Sequence, residues 1–411
     1  MNLASQIEQY LPAEVLKLLA NISTQANQLG QKVYLVGGVV RDLFLGYPNF
    51  DLDLAIEGDA LKFAQRVAEI TQAKLVTHPR FGTAKLSQGN FTLDMAMARG
   101  ETYAKPGALP AVTPGRISND LFRRDFSINA MAISLAPDSY GELLDPYQGK
   151  SDLDRGLIRV LHPKSFSDDA TRILRAIRYE QRFGFKLEPE TAWLLKRDIA
   201  MLDTISGNRI RHELESILRE RYPEHVLRRL SELGVLQRIN PSLKGNGWIA
   251  EKFDKARQLN KPSQLSSLYF CLFIYPLSGK ENEQFLHQLN IPGKLSRSLR
   301  DTLCLKSQVP LLDKPSMKHG EIYYLLHEYD SLAIQANAIA SESSTIHCHL
   351  QLFLTKLRYV KTFLSGEELK RLGIPEGPEL GKVLETLHKA RLDGEVNTKA
   401  EEEKLALSLK P

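Results

Sequence analysis

Cysteine is scarce in this chain of 411 residues: Cys271, Cys304 and Cys348 are its only three, and no two stand in a Cys-x-x-Cys pair. That excludes a disulfide framework and a zinc ribbon, and a reducing, cytoplasmic setting is the expectation. His347-Cys348-His349 has no fourth ligand nearby in sequence and reads as a trio flanking a helix rather than a metal cluster. Long apolar runs are also missing. The longest, Leu268 to Tyr275, falls far short of the roughly 20 residues that a membrane span needs, so it reads as a buried helix and no membrane partner is expected. The first residues have neither a basic start nor a small-residue cleavage site, which argues against a signal peptide. One-sided charge is absent too: 54 Lys and Arg against 49 Asp and Glu leave a formal net charge of +5. A nucleic-acid partner is permitted only if that charge is unevenly placed.

It is uneven. Residues 155–231 hold thirteen Arg against three Lys, and Arg suits planar, two-pronged contacts to phosphates and bases. Strand and helix signals are unevenly placed as well. Val33–Val36, Phe50–Ile56, Lys74–Thr77, Thr83–Ser87 and Phe91–Ala98 read as strands, and Ala60–Thr71 as an amphipathic helix. This predicts a mixed α/β unit to about residue 150. Gly100–Asn119, with Pro106, Pro110 and Pro114, reads as a long irregular loop. Beyond about 151 helical periodicity dominates, so the fold class is α+β.

Four motifs carry chemistry. Asp51-Leu52-Asp53 puts two carboxylates on one face of a strand, a pair that suits Mg²⁺ shared with phosphate oxygens. Asp94, in the alternating segment Leu93-Asp94-Met95, adds a third acid that is costly to bury alone. The bland alternative is charge at a strand end. Gly37-Gly38, between a strand and a helix, forms an anion site reinforced by Arg41. In Arg123–Ala130, Arg124 can reach a phosphate while Asp125 and Asn129 can hydrogen-bond a ribose; a salt-bridged helix start competes with that reading. Finally, Asp169, Arg172, Arg175 and Arg178 recur along one helix. Cytosine and adenine both present an amino donor beside a ring-nitrogen acceptor. Asp169 can accept from the first and Arg172 can donate to the second, whereas uracil and guanine would leave buried groups unpaired, at about 1–3 kcal/mol each. A structural Asp–Arg ladder is the plain alternative.

Together these motifs resemble the class II, bacterial tRNA nucleotidyltransferases (CCA-adding enzymes) and the related poly(A) polymerases. Asp145–Gly149 resembles the family's head-to-neck connection, Arg209–Leu214 its neck motif, and Leu392-Asp393-Gly394 part of its tail. The resemblance implies a polymerase-β-like nucleotidyltransferase head over 1–150, a base-recognising helical neck over 151–222, a helical body over 223–300 and a tRNA-binding tail over 301–411. It implies Mg²⁺ on Asp51 and Asp53, Asp94 as the third head carboxylate, and nucleotide contacts from Gly37, Gly38, Arg41, Arg124, Asp125, Asn129, Asp169 and Arg172, with Arg175 and Arg178 in support. The reaction implied is attack of a tRNA 3′-hydroxyl on the α-phosphate of CTP or ATP, adding C and A and releasing pyrophosphate. Full CCA-adding members carry a basic stretch where this chain has Lys105–Pro110. An enzyme that adds only CC is therefore one alternative, a poly(A) polymerase a second, and a non-catalytic RNA-binding protein a third.

Overall fold

The computed structural model describes every residue except 48–50, 80, 81, 89, 90, 260, 261 and 411, and the side chains of 88 and 262–264 are likewise outside it. It divides into two compact units: Met1–Glu213 with Leu233–Arg238, and Leu214–Glu232 with Ile239–Pro411.

The first unit is built on a seven-stranded mixed sheet. In chain order its strands are β1 (Lys32–Val36), β2 (Asp51–Glu57), β3 (Lys74–His78), β4 (Thr83–Gln88) and β5 (Phe91–Met97). After β6 (Arg99–Thr102) and β7 (Ala111–Pro114), which stand apart, come β8 (Ala132–Ser134) and β9 (Leu143–Leu144). The spatial order is β3-β4-β5-β2-β1-β8-β9. β1 is apolar on both faces and occupies the interior, with Val33 to Val36 all buried. β2 alternates: Leu52 and Leu54 turn inward while Asp51 and Asp53 face out. Its expected first residue, Phe50, lies outside the described residues. β2 and β5 run parallel, with Asp53 opposite Asp94 in register. Parallel neighbours need a crossover, which here includes the helix Ala60–Thr71. That helix starts on the Asp59 carboxylate, which accepts from Leu61 and Lys62 N–H, and it buries Phe63, Ala64 and Val67.

One expectation is corrected. Gly100–Asn119 is not irregular throughout: β6 and β7 pair antiparallel from Arg99–Pro114 to Thr102–Ala111, and a helix begins at Ile117. Proline sits at the end of β7, where its missing N–H breaks no interior ladder. Further along the unit, helix Thr171–Phe183 buries Ile173, Leu174 and Ile177 and ends at Gly184, whose φ of +67° turns the chain. Two short strands, β10 (Leu157–Ile158) and β11 (Lys186–Leu187), pair in parallel where only helices were expected.

The second unit is helical. Leu268–Ile274 is buried, most of it in helix Pro262–Phe273, as the apolar run predicted. His347-Cys348-His349 lies inside helix Ser344–Thr355 rather than beside one, and His347 and His349 hydrogen-bond the Ala338 and Leu312 carbonyls. Among the described residues, no helix is long and apolar enough to cross a membrane.

Candidate nucleotide site

A cleft of about 600 Å³ opens within the first unit, between the central strand β2 and helix Thr171–Phe183. Gly37, Gly38, Arg41, Asp53, Arg124, Asp125, Asn129, Asp169, Arg172 and Arg175 all line it. Of the expected residues, three do not. Asp51 lies around the corner in an adjoining cleft. Asp94 sits beside Asp53 in register, with its carboxylate 2.9 Å from Lys85 Nζ. Arg178 turns to Glu213, 3.5 Å away.

The floor is anionic. Burial, together with the negative charges of Asp51 and Asp94, lifts the Asp53 carboxyl to about 6, even though Arg124 pulls the other way. Asp53 keeps one side open to the cleft while protein desolvates the rest. Such a group gains from a cation, and two carboxylates on one strand face plus nucleotide phosphates match what Mg²⁺ accepts. Among the described residues no three His, Cys, Asp or Glu side chains gather as a metal cage; the fit is to an ion shared with a substrate.

Beside it stands the phosphate wall. Gly37 precedes helix Gly38–Leu45 at a φ of +77°, and a Cβ there would come within 2.7 Å of Arg124 Nη1. Glycine at this position therefore lets the guanidinium approach the helix N-terminus. Arg124 is held from behind by Asp120, buried at the end of helix Ile117–Phe122. Asp120 accepts from Arg124 Nη2 at 2.9 Å and from Arg123 Nε and Nη2 at 2.9 and 2.7 Å. Burial alone would raise the Asp120 carboxyl, but Arg124 and Arg123 hold it below the usual range.

Asp125 and Asn129, expected to meet a ribose, are engaged with protein instead. Asn129 Oδ1 accepts from Arg41 at 2.7 Å, and its amide donates to Asp125 Oδ1 at 3.0 Å. Burial pushes the Asp125 carboxyl up, yet Arg175 and the Asn129 hydrogen bond outweigh it and hold it at about 2. At the other end, Arg172 donates to Ser165 Oγ at 2.7 Å and to the Arg123 carbonyl at 2.7 Å. Asp169 accepts from Thr171 N–H and Oγ1 and, at 2.7 Å, from Arg209.

Known proteins resemble this chain in sequence and fold. Residues 33–159 match the family described as "Poly A polymerase head domain", and residues 184–245 match "Probable RNA and SrmB- binding site of polymerase A". An A-adding tRNA nucleotidyltransferase of Halalkalibacterium halodurans is 35% identical over 97% of this chain and 93% of its own length. The chain belongs to the tRNA nucleotidyltransferase family. A second A-adding relative, from Geobacter sulfurreducens, is 32% identical over 98% of this chain, which spans about half (48%) of that protein. Among solved structures, a CCA-adding enzyme in its apo form superposes with a TM-score of 0.84 at 30% identity, over 99% of both chains. These tRNA nucleotidyltransferases are enzymes of the polymerase-β-like class, a class that uses divalent metal ions.

The cleft also contains residues that the sequence had assigned no role in it. Glu101 and Tyr103 come from the end of β6, and the Tyr103 hydroxyl donates to Glu101 at 2.8 Å. Burial and that acceptor raise the Tyr103 phenol, so it remains a donor. Arg209 and Glu213 line the cleft from helix Gly207–Leu218. Arg209–Leu214 had stood out only as a family motif; in the fold Arg209 pairs with Asp169 and Glu213 with Arg175.

Proposed function

We propose that this chain extends the 3′ end of tRNA without a template, joining A from ATP and releasing pyrophosphate. The observation that carries this reading is one continuous cleft with a carboxylate at its floor, Arg124 on its wall and Asp169 with Arg172 at its far end. Those are the groups needed to hold a metal, a triphosphate and a base. The A-adding relatives support A as the transferred nucleotide. Addition of C as well, giving the whole CCA, is the second reading, supported by the superposition on a CCA-adding enzyme. In both, residues 1–150 act as head, 151–222 as neck, 223–300 as body and 301–411 as tRNA-binding tail.

Asp51 and Asp53 are the residues to hold Mg²⁺, which would supply charge stabilisation as the α-phosphate reacts; Asp94 supports them through its charge. Gly37, Gly38, Arg41 and Arg124 receive the phosphates. Asp169 has both oxygens on protein donors, so it reads an adenine amino group by sharing those lone pairs. Arg172 is oriented by Ser165 and the Arg123 carbonyl. Arg175 and Arg178 hold the wall through Asp125 and Glu213.

The test uses purified protein, Mg²⁺, single nucleoside triphosphates and tRNA that either ends in CC or lacks CCA altogether. Incorporation of A on the CC end alone is the expected result. Stepwise C, C and A on the trimmed tRNA would establish the second reading. C addition that stops at CC, or long A tails on unrelated RNA, would overturn the proposal.

A further inference from the structure

A lysine stands in line with the carboxylates of the floor. Lys85 on β4 lies opposite Asp94 on β5, and Asp94 lies opposite Asp53 on β2. Directly opposed residues carry their side chains on one face of a sheet, so the three form a row across three strands. Ala84 and Leu86, on either side of Lys85, turn to the buried face. Lys85 Nζ is 2.9 Å from Asp94 Oδ2. Arg124 stands at the other end of the row: a Cβ on Gly37 would lie 2.7 Å from its Nη1 and 3.6 Å from Asp53 Oδ2. Two carboxylates are thus flanked by two cations.

The two cations differ in what they can reach. Arg124 lines the nucleotide cleft, which meets the adjoining cleft at Asp53. Lys85 lines neither. A triphosphate in the nucleotide cleft meets Arg124, so Lys85 acts on the carboxylates alone. The next row makes the contrast. Asp51 lies opposite Thr92, whose hydroxyl donates to Asp51 Oδ1 at 3.3 Å. A neutral donor leaves the charge of its carboxylate in place, whereas a lysine cancels it.

We infer that Lys85 is a resident counter-cation that keeps Asp94 out of the metal's ligand set, so that the nucleotide-free chain holds a divalent ion weakly, on Asp51 and Asp53. The inference rests on the metal site proposed above. Hard divalent ions bind through carboxylate oxygens, and the number of charged ligands tunes their affinity. Asp94 and Lys85 have side chains 41% and 44% exposed. A pair that open adds little to stability, and packing does not lock Asp94 in place, so the effect of Lys85 falls on charge and on where the Asp94 carboxylate points. With Lys85 present, the face offers the ion two carboxylates instead of three, and phosphate oxygens must complete the shell. The floor therefore gains its metal together with the triphosphate and gives it up with pyrophosphate. Lys85 is a positioning residue, acting through Asp94.

The test uses the full chain without nucleotide and measures Mn²⁺ binding from the electron paramagnetic resonance of the free ion. Lys85→Met should tighten binding by about tenfold, the effect of one unit charge a few ångströms from the ion near a protein surface. Lys85→Arg should bind as the unaltered chain does, and adding Asp94→Asn to Lys85→Met should abolish the gain. Lys17→Met is the control for net charge: it removes an exposed lysine from helix Ala13–Gln28, beside Leu52 and Leu93 on the sheet's other face, and should change nothing. No tightening in Lys85→Met, equal tightening in Lys17→Met, or a gain that survives Asp94→Asn would overturn the role of Lys85. Binding that is lost in Asp53→Asn yet indifferent to Lys85 would overturn that role and leave the metal site standing. Binding that is the same in Asp53→Asn would overturn both.

Discussion

Arg175 donates from both Nε and Nη2, at 2.9 and 2.6 Å, to one oxygen of Asp125, fifty positions earlier in the chain. The other Asp125 oxygen accepts from Asn129, which accepts in turn from Arg41. A single relay thus ties helix Gly38–Leu45, under the phosphate wall, to helix Thr171–Phe183, which carries Arg172 of the base-reading pair. Breaking a buried ion pair from one side strands the other charge, at about 3 kcal/mol. Arg175→Met is therefore expected to lower unfolding free energy by about that amount, measured by urea denaturation. A loss well below 1 kcal/mol would mean that the relay contributes little.

The same pair sets an acid limit. Asp125 is held at about 2 in the folded chain, below the roughly 3.9 of an unfolded aspartate. A depressed carboxylate stabilises the fold above its unfolded pKa, and that contribution fades as pH falls towards the folded one. Stability should drop between about pH 5 and pH 2, by an amount on the order of 2 kcal/mol from this group. Asp125→Asn removes the titration, so its urea midpoint should fall less steeply over that range. Parallel curves for the two proteins would contradict this.

Some of this was legible in the sequence for physical reasons. Strand alternation in Leu52-Asp53-Leu54 and the i, i+3 spacing of Arg172 and Arg175 are local, so they set which face each side chain takes; Asp169, expected on the same helix, stands before it in extended backbone. The pairing of β6 with β7 was hidden because Pro106, Gly107 and Pro110 in the connection weigh more heavily than two four-residue strands. Asp125 and Asn129 show the other limit: residue type reveals hydrogen-bonding capacity, but only the fold decides whether a ribose or Arg175 and Arg41 receive it. Arg209 reaches Asp169 across forty positions, a distance at which no spacing rule operates.

Gly37 has a specific requirement. At φ +77° an L side chain is strained, and the added Cβ would meet Arg124 Nη1 at 2.7 Å. Gly37→Ala should cost about 1–2 kcal/mol of stability and displace Arg124, which should raise the KM for ATP. Thermal unfolding with steady-state kinetics checks both. An unchanged KM would show that Arg124 does not need this approach.

Asp53 lies at the meeting point of the two clefts. Asp53→Asn keeps the shape and removes the charge, and it should lower nucleotide incorporation by at least about a hundredfold. tRNA binding should persist, and Mg²⁺ should no longer strengthen ATP binding. Retained turnover would remove Asp53 from the metal site.

Asp169 offers the sharpest test of base choice, because Arg209 gives it a second partner. Asp169→Ala deletes the acceptor for an exocyclic amino group and leaves Arg209 facing the cleft unpaired. Losing one buried acceptor is worth about 1–3 kcal/mol, so preference for ATP over GTP should fall by roughly tenfold or more. Arg209→Ala acts in the opposite sense: it leaves the Asp169 carboxylate in place and frees one lone pair on it. Base preference should then survive while overall efficiency drops, since Asp169 loses the guanidinium that fixes its orientation. Single-nucleotide incorporation with ATP, GTP, CTP and UTP separates these outcomes. If Arg209→Ala relaxed the choice and Asp169→Ala did not, the base would be read by the arginine, and the role assigned to Asp169 would be wrong.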